Sequence, residues 1–281
     1  MILIGQLRRL VRDRLREEGL PTPDLDARLL VAHALGMSVS ELLLHEDDDV
    51  APEKEAHVHA VCALRLKGMP VGRIAGEREF YGRRFFLNAA TLEPRPDTEV
   101  LIDAVLARAS ADHPLTIADI GTGSGAIAVT LLAELPQSCA VAVDVAEDAL
   151  VAARNNASLH SVLDRLLLVR ADYASALGNG YDWLVSNPPY IRQSVLATLS
   201  KDVLDHDPIL ALDGGKDGLS AYRSICTGAA RLLKRGGRIA LEIGFDQADD
   251  VKKTLRHHDF GAIEIIRDLS GNDRVVVGRL E

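Results

Sequence analysis

Cysteine is scarce in this chain: Cys62, Cys139 and Cys226 stand alone, with no Cys-x-x-Cys pair among them. That excludes a disulfide framework and a thiolate zinc site, and it fits a reducing cytoplasm. Long apolar runs are missing too, since none approaches the ~18–20 residues that a membrane span requires. The N-terminus lacks the apolar core and small-residue cleavage site of a secretory signal. Arg8, Arg9, Arg12, Arg14 and Arg16 are interleaved with Asp13, Glu17 and Glu18, and Leu3, Leu7, Leu10 and Leu15 supply a helical stripe, so an ordinary first helix is expected. An excess of basic charge is likewise absent. The net charge is −9, and of 32 basic and 41 acidic side chains residues 1–90 hold 13 and 14, leaving 19 and 27 for the remainder. A chain that grips a polyphosphate backbone usually presents a basic face, so DNA and RNA are disfavoured as partners. His33, His45, His57 and His59 crowd one region without a cysteine beside them, and they read as helix-surface or packed residues, with no metal site expected.

With 281 residues and 47% hydrophobic content, the chain has room for one large α/β domain and a smaller companion. Residues 1–70 read as a small helical bundle. Breaks at Gly19-Leu20-Pro21, Gly36 and Gly68 separate the helices, Leu25, Leu29 and Leu30 serve the second, and Ser38 with Glu41 has capping-box spacing ahead of Leu42, Leu43 and Leu44. Residues 71–96 carry Gly72, Gly76 and Gly82 with the aromatic pairs Phe80-Tyr81 and Phe85-Phe86, which predicts a β-hairpin linker. From 97 to 281 a helix over 97–109 leads into alternating strands and helices, with strands at 116–120, 139–144, 166–170, 182–186 and 237–243. That alternation predicts a parallel, doubly wound sheet, with two last strands near 262–267 and 274–279 paired at an edge.

Two loops carry the chemistry. Asp119-Ile120-Gly121-Thr122-Gly123-Ser124-Gly125 lies where the first strand of the sheet turns into a helix, and its glycines let backbone approach a ligand at a helix N-terminus. Gly121, Gly123 and Ala126 also satisfy a dinucleotide fingerprint, so a dinucleotide oxidoreductase stays open on spacing alone. Asp119 favours S-adenosyl-L-methionine, because a carboxylate repels a pyrophosphate and suits ammonium and sulfonium charges. Asp144, ending the second strand, suits a ribose hydroxyl, while Asp172 and Tyr173, after the third, suit an adenine amine and ring. The second loop is Asn187-Pro188-Pro189-Tyr190. Asn187 and the proline carbonyls offer acceptors with few competing donors, and Tyr190 offers a flat wall, a setting for a planar NH2 group. In a doubly wound sheet both loops face one crevice. A methyl group could then pass to a nitrogen held by Asn187 and the Pro188 carbonyl, without a metal.

These segments, together with Arg78-Glu79-Phe80-Tyr81-Gly82, Pro94-Arg95-Pro96-Asp97-Thr98-Glu99, Asp213-Gly214-Gly215, Asp217-Gly218-Leu219, Glu242-Ile243-Gly244 and Asp273-Arg274-Val275-Val276, resemble the peptide chain release factor N5-glutamine methyltransferases (the PrmC/HemK family) over nearly the whole chain. The glycine loop is generic to class I methyltransferases, and the Asn-Pro-Pro-Tyr box is shared with enzymes that methylate amines of adenine, guanine and glutamine. The Pro-Arg-Pro-x-Thr-Glu segment is the specific part. The resemblance implies a Rossmann-like class I methyltransferase sheet, S-adenosyl-L-methionine as donor, and the glutamine of the Gly-Gly-Gln loop of class I release factors as substrate. It further implies a donor site at Gly121–Gly125, Asp144 and Tyr173, with Asn187 beside it, a glutamine site at Asn187–Tyr190, and a helical bundle that helps dock the factor. Asp97, Glu93 and Asp205-His206-Asp207-Pro208 depart from the family pattern. A ribosomal-protein glutamine methyltransferase, a nucleic-acid exocyclic-amine methyltransferase and a non-catalytic binding module are the other readings.

Overall fold

In the computed structural model, which describes residues 2–110 and 112–281, the chain packs as two units. One comprises residues up to Glu77 together with Lys201–His206, and the other Arg78–Ser200 with Asp207–Glu281.

The first unit is built on helix spacing. In α1 (Ile4–Glu17), Ile4, Leu7, Val11 and Leu15 recur at intervals of three and four and are all buried. Leu10, expected in that stripe, is instead exposed, because Val11 holds the inward position one residue later. The same period turns Leu25 outward from α2 (Pro23–Leu35) and buries Ala27, Leu30 and Val31. Gly36 ends α2 in the left-handed conformation. The capping box opens α3 (Val39–Leu44): the Ser38 amide donates to Glu41 at 2.7 Å and the Glu41 amide donates to Ser38 Oγ at 3.1 Å. Only Leu42 of its three leucines is buried. α4 (Pro52–Leu66) carries Arg65, whose Nε donates to Asp26 at 2.8 Å in a buried pair. Residues 71–75, assigned by their glycines to a linker, form a short helix, α5 (Val71–Ala75).

The expected hairpin is narrower than residues 71–96, consisting of β1 (Glu77–Phe80) and β2 (Arg83–Phe86). Tyr81 and Gly82 both have positive φ, 52° and 68°, as a tight two-residue turn of matching twist requires. Phe80 and Phe85 meet edge to face at 6.0 Å in the core of the second unit. Where one helix over 97–109 was expected, a 3-10 turn at Pro96–Thr98 precedes a shorter α6 (Glu99–Leu106), since Pro94 and Pro96 restrict the residues before them.

The second unit then alternates β3 (Thr116–Ile120), α7 (Ala126–Glu134), β4 (Cys139–Asp144), α8 (Glu147–Leu159), β5 (Leu166–Arg170) and β6 (Tyr181–Ser186). After α9 (Gln193–Leu196) and α10 (Lys201–His206), two short helices that periodicity did not reveal, come α11 (Ser220–Leu232), β7 (Leu233–Glu242), α12 (Ala248–His257), β8 (Phe260–Arg267) and β9 (Asp273–Leu280). α10 groups with the first unit, where Arg65 reaches Asp202 at 3.2 Å. Among the described residues the main sheet has seven strands in the order β5-β4-β3-β6-β7-β9-β8. β3 to β7 are mutually parallel, and β9 runs antiparallel between β7 and β8, so the last two strands pair at an edge. The chain runs outward from β3 to β5 and returns to β6 on the other flank of β3, which creates a topological switch point at the carboxyl ends of β3 and β6.

Asn156 joins three parts of this unit. Fully buried in α8, it accepts from the Phe86 amide at 2.8 Å and donates to the carbonyls of Phe86 at 3.0 Å and Ser124 at 2.8 Å, tying the hairpin to the glycine loop. Asn156→Ala leaves those groups unpaired away from water, so urea unfolding should show a loss of about 2–4 kcal/mol, with an intact helical first unit by circular dichroism.

Candidate active site

β3, β4, β5 and β6 all end at one edge, and the register that aligns Ile120 with Val143 and Asp144 with Arg170 brings their following loops together. A cavity of about 270 Å³ opens there. Of the residues singled out from sequence, Gly121, Gly123, Asp144, Asp172, Tyr173, Asn187 and Pro189 line it. Asp119, Thr122, Ser124, Gly125, Pro188 and Tyr190 are not among its lining residues.

The glycine loop is held by backbone and by Asp144. The Gly121 and Thr122 amides both donate to the Val143 carbonyl at 2.9 Å. Asp144 accepts from the Gly123 amide through Oδ2 and from the Ala146 amide through Oδ1, each at 2.9 Å, so its carboxylate clasps the loop while facing the cavity. Gly121 and Gly123 have φ of +74° and +55°, and a Cβ on either would meet nothing within 4 Å, because it would project into open space. Gly125 differs. At φ +81° its Cβ would lie 3.1 Å from Ala153 of α8, so this glycine serves packing.

Asp119 departs from the sequence expectation. Its side chain has no exposure and turns inward, accepting at Oδ2 from Thr122 Oγ1 at 2.6 Å and from the Ala128 amide at 3.2 Å, while Oδ1 is buried without a hydrogen-bond partner. It braces the loop and the start of α7 and presents no charge on the cavity wall. Burial pushes its carboxyl up to about 7, against the opposing effect of those two hydrogen bonds and with a smaller push from Asp144. The inward turn has no signal in the sequence, where Asp119 simply precedes the loop.

On the far wall, Tyr173 adopts φ +45° directly after Asp172, and burial raises its phenol pKa above the ordinary value, with Asp172 adding to the shift. Ala90, Leu92, Pro208 and Leu210 complete the apolar lining and went unrecognised in the sequence. The segment holding Pro208 and Leu210 is anchored by Asp207, which pairs with Arg95 of the Pro-Arg-Pro stretch at 2.8 Å.

The Asn-Pro-Pro-Tyr corner is braced from behind. Ser186 Oγ donates to the Ile120 carbonyl at 2.6 Å, fixing the end of β6 to the end of β3. Asn187 Nδ2 donates to Thr98 Oγ1 at 3.1 Å. Pro188 is buried, and the Tyr190 carbonyl accepts from Gln247 Nε2 at 3.0 Å. Gly214 and Gly218 press on this backbone so closely that a Cβ would lie 2.8 Å from Tyr190 Cα and 2.6 Å from its carbonyl oxygen. The Asp-Gly-Gly and Asp-Gly-Leu segments thus form the back of the loop. Tyr190 points its hydroxyl at Glu242, 3.5 Å away and itself buried.

Residues 6–76 match the PrmC N-terminal domain and residues 96–206 the methyltransferase small domain. The chain is 41% identical to a release factor glutamine methyltransferase of Agrobacterium fabrum, over 95% of this chain and 94% of that protein. It is 43% identical to one of Cereibacter sphaeroides, over 95% of each. Among solved structures, a ribosomal protein L11 methylase from Lactobacillus delbrueckii subsp. bulgaricus overlays with TM-score 0.50 at 20% identity, over 68% of this chain and 83% of that one, a likeness of fold.

Two measurements follow from the loop. Gly123→Ala should cost only the ~1–2 kcal/mol of a left-handed non-glycine residue yet weaken S-adenosyl-L-methionine binding by calorimetry, whereas Gly125→Ala, which also meets Ala153, should lose more stability than Gly123→Ala. Asp119 loses its proton near 3.8 when unfolded and near 7 when folded, so its contribution to stability is greatest at low pH and is lost as pH rises through about 7. Urea unfolding of Asp119→Asn should therefore decline less between pH 5 and pH 8 than that of the parent; an unchanged slope would assign the pH dependence elsewhere.

Proposed function

This chain belongs to the release factor glutamine methyltransferase family, and we propose that it transfers the methyl group of S-adenosyl-L-methionine to the side-chain amide nitrogen of the glutamine in the Gly-Gly-Gln motif of class I release factors. The observation that carries this reading is the shared cavity: Gly121 and Gly123 of the glycine loop and Asn187 and Pro189 of the corner line one space of about 270 Å³.

The residues present suit the donor. Open space in front of Gly121 and Gly123 admits a ligand against bare backbone, Asp144 and Asp172 offer acceptors for hydroxyl and amine groups, and Tyr173 and Leu210 offer apolar surface for a ring. When bound, S-adenosyl-L-methionine supplies an electrophilic methyl group.

The chain's own contribution is orientation. An amide nitrogen is a weak nucleophile because its lone pair is delocalised into the carbonyl. Asn187, with Nδ2 committed to Thr98, turns Oδ1 towards an incoming NH2 group, and the Pro188 carbonyl is the second acceptor. Two acceptors on the two amide hydrogens align the nitrogen and stabilise positive charge that grows on it as the new bond forms. The proton then leaves from an acidic cation, so no strong base is needed. Release factors are the partner, with the N-terminal helical unit assisting in docking. The place of action is the cytoplasm, where translation terminates; no described helix is long and apolar enough to cross a membrane.

Incubation with radiolabelled donor and a class I release factor should label the factor, and Gln→Ala in its Gly-Gly-Gln motif should abolish labelling. Label on ribosomal protein alone, or label persisting on the mutant factor, would refute the assignment. Asn187→Ala should lower kcat by about 10²-fold with donor affinity largely kept, the order associated with losing one preorganised transition-state hydrogen bond.

A further inference from the structure

Three segments singled out in the sequence, Asp213-Gly214-Gly215, Asp217-Gly218-Leu219 and Glu242-Ile243-Gly244, supply no group to the proposed transfer, yet two of their glycines close on one side chain. A Cβ on Gly218 would lie 2.6 Å from Gln247 Nε2, and one on Gly244 would lie 2.9 Å from Gln247 Oε1. Gln247 is 3% exposed and immediately precedes α12, a place where polar side chains commonly cap the helix, but its own makes no cap bond. Instead Nε2 donates to the carbonyls of Tyr190 at 3.0 Å and Gly218 at 3.1 Å, while Oε1 accepts from the Gly244 amide at 2.9 Å and the Tyr222 hydroxyl at 3.3 Å. Both hydrogens and both lone pairs are engaged. The Gly244 amide can only donate and the two carbonyls can only accept, so the side-chain amide has one possible orientation.

The Asn-Pro-Pro-Tyr corner needs such a hold because of its composition. Pro188 and Pro189 have no N–H through which the corner could be tied, while their rings fix φ and restrict the residues before them. The corner is therefore a stiff unit placed by its two ends. At the near end, Ser186 Oγ donates to the Ile120 carbonyl. At the far end lies the peptide that joins Tyr190 to Ile191: its N–H donates to the Leu212 carbonyl at 3.0 Å and its C=O accepts from Gln247. One bond on each side of that peptide fixes its plane. With the Leu212 bond alone the plane can rock, and a stiff corner carries the rocking back to Asn187 and the Pro188 carbonyl.

We infer that Gln247 is a positioning residue for methyl transfer: by holding the Tyr190 carbonyl it fixes the far end of the corner, and with it the direction in which Asn187 and the Pro188 carbonyl meet the substrate amide. The inference rests on the proposed glutamine methylation. Gln247 is not among the residues that line the cavity, so it acts on the rate of transfer and leaves the contacts of the donor intact. Gly218 and Gly244 are small for the same purpose, since a side chain on either would displace the Gln247 amide. Gly214, whose Cβ would lie 2.8 Å from Tyr190 Cα and 2.9 Å from Gly218 Cα, keeps the same packing close.

The test sets kcat for transfer from labelled S-adenosyl-L-methionine to a class I release factor against donor affinity by calorimetry. Gln247→Met keeps the bulk of the side chain and loses its four bonds; kcat should fall by roughly tenfold or more, the scale on which small misplacements of reacting groups act, with donor affinity unchanged. Gly244→Ala, at a position whose φ is open to alanine, displaces the Gln247 amide while every hydrogen-bonding group remains, and it should lower kcat in the same way. The double variant should be no slower than Gln247→Met, because both changes act by one route. Leu255→Ala, a buried cavity two turns further along α12, should lose stability in urea yet keep wild-type kcat, which separates positioning from a general loosening of the helix. Should Gln247→Met fail to fold, Gly244→Ala decides alone. Wild-type kcat in the deciding variant would overturn the inference, as would an equal fall in donor affinity or a matching loss of kcat in Leu255→Ala. A wild type that labels no release factor glutamine would instead overturn the functional reading itself.

Discussion

The pairing of β3 with a parallel neighbour on each side is the constraint from which the site follows. Ile117, Ala118 and Asp119 align with Ala140, Val141 and Ala142 of β4 on one flank, and with Trp183, Leu184 and Val185 of β6 on the other. Parallel strands end at the same edge, so residues 67 positions apart in sequence, such as Ile120 and Asn187, are delivered to one place without any contact of their own having to specify it. The Ser186 hydroxyl on the Ile120 carbonyl is the local seal on that arrangement. The buried apolar strands supply the driving force, and the ligand-facing loops inherit their positions from it.

Much of this was legible in the sequence because it is periodic. The strand at 139–144 has the bounds given by its apolar run, and the edge pairing of the last two strands was visible as two β-rich runs after the final helix. The glycine loop and the Asn-Pro-Pro-Tyr corner were legible for a different reason: their residue types restrict backbone or hydrogen bonding in ways few other uses require. What escaped depends on direction. Nothing local shows that Asp119 turns inward to brace Ala128, that Val11 rather than Leu10 faces the bundle core, or that Pro208 and Leu210 close the cavity through an ion pair from Asp207 to Arg95. Nor does anything local show that Tyr190 directs its hydroxyl to the buried Glu242, 52 residues later.

Asp119 and Glu242 also show how the unit treats charge near its site. Each is a buried carboxyl with one oxygen unpartnered and a proton affinity raised towards neutrality, and each sits behind a loop that faces the cavity. Burying an ionised carboxylate is costly, and the cost is tolerated where the group disciplines a loop that must be rigid. Rigid backing lets the cavity wall itself remain mostly backbone, small residues and apolar side chains. Polar precision is thus supplied from the layer beneath the surface that meets the ligand.

The bridge between Ile191 and Asp213 has a different implication. The Ile191 amide donates to the Leu212 carbonyl at 3.0 Å and the Gly214 amide returns to the Ile191 carbonyl at 2.9 Å, so the chain leaves the Asn-Pro-Pro-Tyr corner and comes back to the same spot. Everything between is an excursion closed at its neck, with the Asn-Pro-Pro-Tyr corner just before the neck. Its part before Asp207 can be lengthened, shortened or rewritten during divergence without moving Asn187, whereas Pro208 and Leu210 line the cavity and are held by the Asp207–Arg95 pair. Variation in that first stretch and preservation of the cavity wall are therefore separable changes in this chain, accessible to evolution or to grafting one at a time.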